Sequence, residues 1–209
     1  WEDDFSAARN AAIAEASCDW IIVLDADEIL QPVRPVDFQR LLSTPSALAF
    51  RVRIASPSTT DLTNEANRLR IFRNNPQIQY QYPIYEQISS SVQEITESEG
   101  SLVLDSDVTL MHDGHTLDRR ARKRERNLRI LHKAIGAYPN EPYFPYRMAC
   151  EGLCMLDEEV LPVAGIEGSL QHLHRSWSKV QMMGLGQSRL LSWLPDLGAK
   201  ITAALLTQD

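Results

Sequence analysis

At 209 residues, with 44% hydrophobic residues and a mean hydropathy of -0.27, the chain has room for one large domain or two small ones, and wholesale disorder is excluded. Its 21 Lys+Arg against 28 Asp+Glu give a net charge of -7, which argues against a general nucleic-acid or anionic-membrane binder. No apolar run reaches the ~18 residues a membrane span needs, and Trp1-Glu2-Asp3-Asp4 lacks the features of a signal peptide. A cytoplasmic protein is the expectation, with peripheral membrane contact left open.

Asp3 or Asp4 can cap a helix whose Phe5, Ala8, Ala12, Ile13 and Ala16 share one face. Trp20 to Leu24 is a short, continuous apolar run, as expected of a strand buried on both faces, and it stops at Asp25-Ala26-Asp27-Glu28. Helix followed by buried strand is the rhythm of a layered parallel sheet. Pro35 can start a helix through Leu42, and Ala47 to Ile54 reads as the next strand. Residues 56–65 are polar and turn-rich, hence a loop. Arg68–Phe72 and Ile78–Tyr82 are predicted strands joined through Asn74-Asn75-Pro76, with one or two more over Leu102–Leu104 and Val108–Met111. Helices are predicted over 117–137, 142–156 and much of 166–206. The composition shift places a boundary near 118, with an α/β part over 1–118 and a helical region over 119–209.

From Arg119 to Lys133 there are eight basic residues and one acid, leaving 13 basic and 27 acidic residues elsewhere, a net -14. A local positive field on an acidic chain points to an anionic ligand such as phosphate, although a solvated helix face produces the same pattern. Cys18, Cys150 and Cys154 match no zinc spacing and read as small buried residues in a reducing compartment. His172 and His174 fall on different faces of a helix and are not read as a metal pair, and Trp177 and Trp193 read as core anchors.

Open α/β sheets bind ligands beyond the carboxyl ends of their strands, and Asp25 and Asp27 are placed there. Two residues apart in an extended segment, both carboxylates can face one pocket. Two close like charges require compensation, and a hard divalent ion shared with a diphosphate supplies it. An EF-hand is excluded, because Leu30 and Val36 stand where its Gly and Glu would be. Asp105-Ser106-Asp107 also fits the strand-plus-DxD form of an aspartate-nucleophile phosphatase, a competing reading.

The ordered set Trp1–Asn10, Ala14–Ala16 and Asp19–Glu28 resembles family-2 glycosyltransferases of the GT-A fold. The resemblance is closest to the branch with tetratricopeptide-like helices, which includes lipopolysaccharide-core glucosyltransferase-like proteins. Arg70-Ile-Phe-Arg-Asn74, Ile84-Tyr-Glu-Gln-Ile88, Met111-His-Asp-Gly114 and Lys123 to Leu131 continue it, over roughly residues 1–150. It implies a GT-A (Rossmann-like) mixed sheet that lacks its first strand-helix-strand unit, followed by an all-helical region. The chain starts without Met, so an upstream segment is expected to complete the donor site, and turnover by these residues alone is not expected.

The resemblance further implies an inverting hexosyl transfer from a nucleotide sugar, expected to be UDP-linked, to a glycan, lipid-linked or protein acceptor. Arg9, Asp25 and Lys123 would contact the nucleotide sugar, Asp27 and His112 would hold Mn²⁺ or Mg²⁺, and Glu86 would be the general base. Tyr85 stands where the family has His, which places the acceptor contact or catalytic competence in question. The non-enzyme alternative is a helical interaction module on a degenerate transferase core.

Overall fold

The computed structural model describes residues 1–55, 66–112, 117–156 and 163–183. The predicted 56–65 loop, the end of the last predicted helix and Trp193 lie outside the described residues. The chain divides into two compact units, Trp1–Arg119 and Arg120–Asp209. The first runs α1 (Phe5–Ala14), β1 (Trp20–Ile22), β2 (Glu28–Leu30), α2 (Pro35–Leu42), β3 (Ala47–Ala55), β4 (Ala66–Arg73), α3 (Ser89–Glu99) and β5 (Leu102–His112). In the second, α4 (Leu117–Ala137, its first turn in the first unit), α5 (Tyr143–Leu156) and α6 (Val163–Met183) follow.

The five strands form one sheet in the order β1-β4-β3-β5-β2. Only β3 and β5 are parallel; β1–β4, β3–β4 and β2–β5 are antiparallel. The sheet is therefore mixed, and the helix–strand rhythm over-predicted parallel pairing. One apolar cluster lies on the side of α1 and α3, built from Ile21, Leu48, Phe72, Ile88, Val92 and Ile95. A second, with Phe50, Val52, Ile71, Val108 and Leu110, packs under Phe38, Leu41 and Leu42 of α2. Helix–sheet–helix layering buries both faces of the central strands.

Four local expectations are corrected. Residues 20–24 do not form a strand buried on both faces: β1 is an edge strand, and Ile22 and Leu24 are exposed. Ile21 and Val23 face the first cluster, while on the other face Trp20 packs against the second cluster and Ile22 and Leu24 are left uncovered. In α1, Asp4 caps the helix by accepting from Ala7 N at 2.9 Å, as the sequence suggests, but Ala8 and Ala12 point outward. The inward side instead carries Ser6, Arg9, Asn10 and Ile13.

Residues 78–82 form no strand. The Asn10 side chain donates to Tyr80 O (2.9 Å) and accepts from Tyr80 N (2.8 Å), and Ser91 Oγ meets both Gln79 N and Gln79 O at 3.2 Å. Side chains thus satisfy the backbone groups that a sheet ladder would otherwise take. Cys18 is exposed rather than buried, in the turn between α1 and β1.

In the second unit, Ile130, Leu131 and Ala134 of α4 are buried, as are Phe144, Tyr146 and Ala149 of α5 and Leu173 and Val180 of α6. Trp177 is no core anchor: it is 40% exposed, because the buried stripe of α6 runs through Leu173, Ser176 and Val180. Ser176 Oγ donates to Pro142 O at 2.8 Å, tying α6 to the start of α5. Glu151 of α5 accepts from Asn127 Nδ2 of α4 at 3.1 Å, and Asn127 Oδ1 in turn takes two bonds from Arg126. Burial pushes the Glu151 carboxyl up from 4.5 to about 7.

The raised Glu151 carboxyl means that the folded state keeps a proton which the unfolded chain releases, so stability falls as pH rises from 4.5 through 7. Glu151→Gln keeps the Asn127 contact and removes the charge. Its melting temperature is expected to exceed that of the parent above pH 7 and to converge with it below pH 4.5, as read by thermal unfolding across that range.

Candidate functional site

β1, β3 and β5 all point the same way, so the segment after β1 leaves from the carboxyl-terminal end of the sheet. β1 and β2 occupy opposite edges, and the chain from Ile22 to Glu28 crosses that end over three intervening strands. The crossing is short, six residue steps from one edge strand to the other. It carries Asp25, Ala26 and Asp27, closed by a turn in which Glu28 N donates to Asp25 O at 2.9 Å.

That turn changes the expected aim of the two carboxylates. In an extended segment they would face one way; here they meet different partners. Asp25 Oδ1 accepts from Arg9 Nη2 of α1 at 2.6 Å, and Asp25 Oδ2 accepts from Arg70 Nη2 of β4 at 2.9 Å. Asp27 Oδ2 lies 3.3 Å from Nε2 of His112, the last residue of β5 and the register partner of Glu28. The structure thus sets Asp27 beside His112 and Asp25 between two guanidinium groups.

Arg9 reaches further. Its Nε donates to Glu86 Oε1 at 2.5 Å, and its guanidinium sits 5.3 Å from the centre of the Tyr80 ring. Glu86 stands in a loop closed by reciprocal bonds between Gln81 and Gln87 (2.8 and 3.1 Å). Pro83 O accepts from Phe5 N at 2.9 Å, and Ile84 is buried, so the loop is pinned to the start of α1. Tyr82 (φ 76°) and Tyr85 (φ 54°) both adopt left-handed backbone there. For bulky residues each such conformation costs about 1–3 kcal/mol, strain that concentrates at functional loops.

Two contributors escaped the sequence reading. Arg70 lay within a recognised segment without a role, and Glu28 was noted only as the neighbour of Asp27. Glu28 has a side chain only 2% exposed; its Oε1 accepts from Arg70 Nη2 at 2.6 Å and its Oε2 from Asp25 N at 2.9 Å. The signal available was a charged residue directly before the apolar pair Ile29-Leu30. Asn74 has a separate structural task, bonding Ala16 O and Cys18 O to fasten the α1–β1 turn.

Burial works against the charge of Asp25, but Arg70 and Arg9 outweigh it and hold the carboxyl below its ordinary value. For Arg9, burial likewise opposes the charge, and the bonds to Asp25 and Glu86 more than reverse this, raising its pKa. Burial raises the Tyr80 hydroxyl. Among the described residues, no three His, Cys, Asp or Glu side chains converge as a ready-made metal cage. Lys123, exposed on α4, belongs to the second unit. Asp105 lies inside β5 rather than at its end. It is largely exposed, 3.4 Å from Arg51 Nη1, beside an open cleft of about 340 Å³. That is no setting for a strand-end phosphatase nucleophile.

The unit is a helix-flanked mixed α/β sheet with charged side chains gathered beyond a strand end, the place where open α/β sheets commonly take ligands. Residues 1–92 match the model of glycosyl transferase family 2, the family to which this stretch is similar. Over 147 residues the chain is 35% identical to a TPR repeat-containing protein of Synechococcus elongatus, covering 68% of this chain and 36% of that protein. The chain thus spans about a third of the length of this curated relative. No described helix is long and apolar enough to cross a membrane.

The strain in the Glu86 loop is directly testable. Glycine adopts φ 54° without penalty, whereas alanine retains it, so Tyr85→Gly should be more stable than Tyr85→Ala by about 1 kcal/mol. Chemical denaturation of the two variants measures the difference.

Proposed function

We propose that the N-terminal unit contributes to an inverting hexosyl transfer from a UDP-linked sugar to a hydroxyl on a glycan, lipid-linked or protein acceptor. The observation that carries this reading is one guanidinium, Arg9, bonded to both Asp25 and Glu86 at the carboxyl end of a sheet similar to family 2. Asp25 and Arg9 serve the donor side, and Glu86 serves the acceptor side. Lys123 is assigned to the donor phosphates on the strength of the sequence resemblance.

Glu86 is the general base. Arg9 occupies its Oε1, and Oε2 makes no hydrogen bond among the described residues. That oxygen takes the acceptor hydroxyl proton as the hydroxyl oxygen attacks the anomeric carbon and the bond to the diphosphate breaks. Tyr85 can donate a hydrogen bond next to this base but cannot share its proton near neutral pH as an imidazole would.

Asp27 and His112 would hold Mn²⁺ or Mg²⁺. One carboxylate and one imidazole in contact fit a hard ion that takes its remaining ligands from phosphate and water, and the nitrogen ligand favours Mn²⁺ of the two. Held there, the ion would supply positive charge against the departing diphosphate. In the fold itself, Asp27 and His112 tie the edge-to-edge crossing to the end of β5.

Calorimetric titration of UDP into the full-length protein should show binding that strengthens with Mn²⁺, and Asp27→Ala should abolish the Mn²⁺ dependence. Transfer by Glu86→Gln should fall about 10²–10⁴-fold in turnover with UDP affinity retained. Binding indifferent to Mn²⁺, or surviving unchanged in Asp27→Ala, would overturn the metal assignment. No UDP binding at all would favour the non-catalytic interaction module.

A further inference from the structure

We propose that Arg70, anchored by the buried carboxylate of Glu28, is a positioning residue that locks Asp25 and, through Arg9, Glu86 into a single five-membered charge network. This rests on the donor and acceptor roles proposed above and adds a residue pair that couples them. The network is continuous. Glu28 Oε1 receives Arg70 Nη2 at 2.6 Å, Arg70 Nη2 also reaches Asp25 Oδ2 at 2.9 Å, Arg9 Nη2 reaches Asp25 Oδ1 at 2.6 Å, and Arg9 Nε reaches Glu86 Oε1 at 2.5 Å. Its members come from β2, β4, the crossing segment, α1 and the Glu86 loop, so it links five separate pieces of chain.

Glu28 is the deepest member of the network. Its side chain is 2% exposed, against 12% for Glu86, 14% for Arg70, 23% for Arg9 and 34% for Asp25. Two buried charges are costly to keep where apolar residues of the same size would pack as well or better. Arg70 Nε is also buried with no hydrogen-bond partner among the described residues, a further cost to the fold. Packing alone does not explain this arrangement. What the pair achieves is directional: Glu28 fixes the Asp25 peptide through its Oε2, while Arg70 fixes the Asp25 carboxylate, so both ends of that residue are held. Arg9 then has one place for its Nη2, and its Nε is thereby aimed at Glu86. Both carboxylates are held by the single Nη2 of Arg70, so lysine at position 70 would keep the charge and one donor nitrogen but carry it on a flexible stem without the rigid guanidinium plane.

The test needs one measurement without ligand and one with it. In NMR spectra of the full chain, the Nε–H signal of Arg9 should be protected from exchange by Glu86, and Arg70→Gln should remove that protection, although residue 70 does not touch Glu86. Arg70→Lys should restore it in part. An Arg9 signal unchanged in Arg70→Gln would overturn the proposal, whatever the protein's activity. In calorimetry with UDP and Mn²⁺, Arg70→Gln and Glu28→Gln should each weaken binding about tenfold or more. The double variant Glu28→Gln/Arg70→Gln, which leaves neither charge buried alone, should bind no worse than either single variant if the pair acts as a unit. Fully additive losses, or UDP binding within twofold of the parent in Arg70→Gln, would overturn it. Loss of UDP binding in the parent with the Arg9 effect intact would instead remove the donor reading and leave the positioning role standing.

Discussion

The grip of two arginines on Asp25 is the constraint around which the N-terminal unit is arranged. A carboxylate at the end of an apolar strand would ordinarily turn to water. Here Arg9 and Arg70 approach its two oxygens from a helix and from a neighbouring strand, and Glu28 holds its peptide nitrogen from below. Each interaction is modest on its own. Together they fix the direction of a short segment that has no secondary structure to fix it. They also explain why the inward side of α1 carries Ser6, Arg9 and Asn10 instead of an apolar stripe. That helix packs through polar contacts: Asn10 to the Tyr80 backbone, Arg9 to Asp25 and Glu86.

Much of the fold was legible wherever periodicity ran long enough. Ala47–Ala55 opens on four buried residues and alternates through Arg51, Val52 and Arg53, and α4, with no Pro in its length and its one Gly at position 136 beside its end, follows a clear helical stripe. Short elements were not legible. β2 has three residues, and its pairing is decided by Met111 and His112, more than 80 positions away. α3 begins in the serine run Ser89–Ser91, which on propensity alone suits a turn; buried Val92 and Ile95 decide the matter. Ile78–Tyr82 has strand-like composition, yet Asn10 and Ser91 claim its backbone groups.

The same division holds at the site. Asp25 and Asp27 stand out by their place at the end of an apolar run, Arg9, Glu86 and His112 because a family pattern marks them, and the structure gathers Arg9, Asp25 and Glu86 into one network and Asp27 with His112 into another contact. The partnership of Arg70 with Glu28 spans 42 positions and belongs to no local motif. Nor could spacing reveal that Asp25 and Asp27 diverge, because this depends on the turn that brings Glu28 N back to Asp25 O. The relation to glycosyl transferase family 2 supplies the chemical frame, and the geometry supplies the connections within it.

The route of the chain from one rim of the sheet to the other has a mechanical consequence. β1 and β2 are each only three residues long, each is bonded to a single neighbour, and the acids are strung between them like a cord between two posts. Fraying at either post slackens the cord, so damage at one margin of the sheet reaches Asp25 and Asp27 with no change in the residues around them. The cross-ties from Arg70 and His112 act as splints along its length. Sequence changes in these two brief strands, distant from each other across the sheet, should therefore disturb the same two carboxylates.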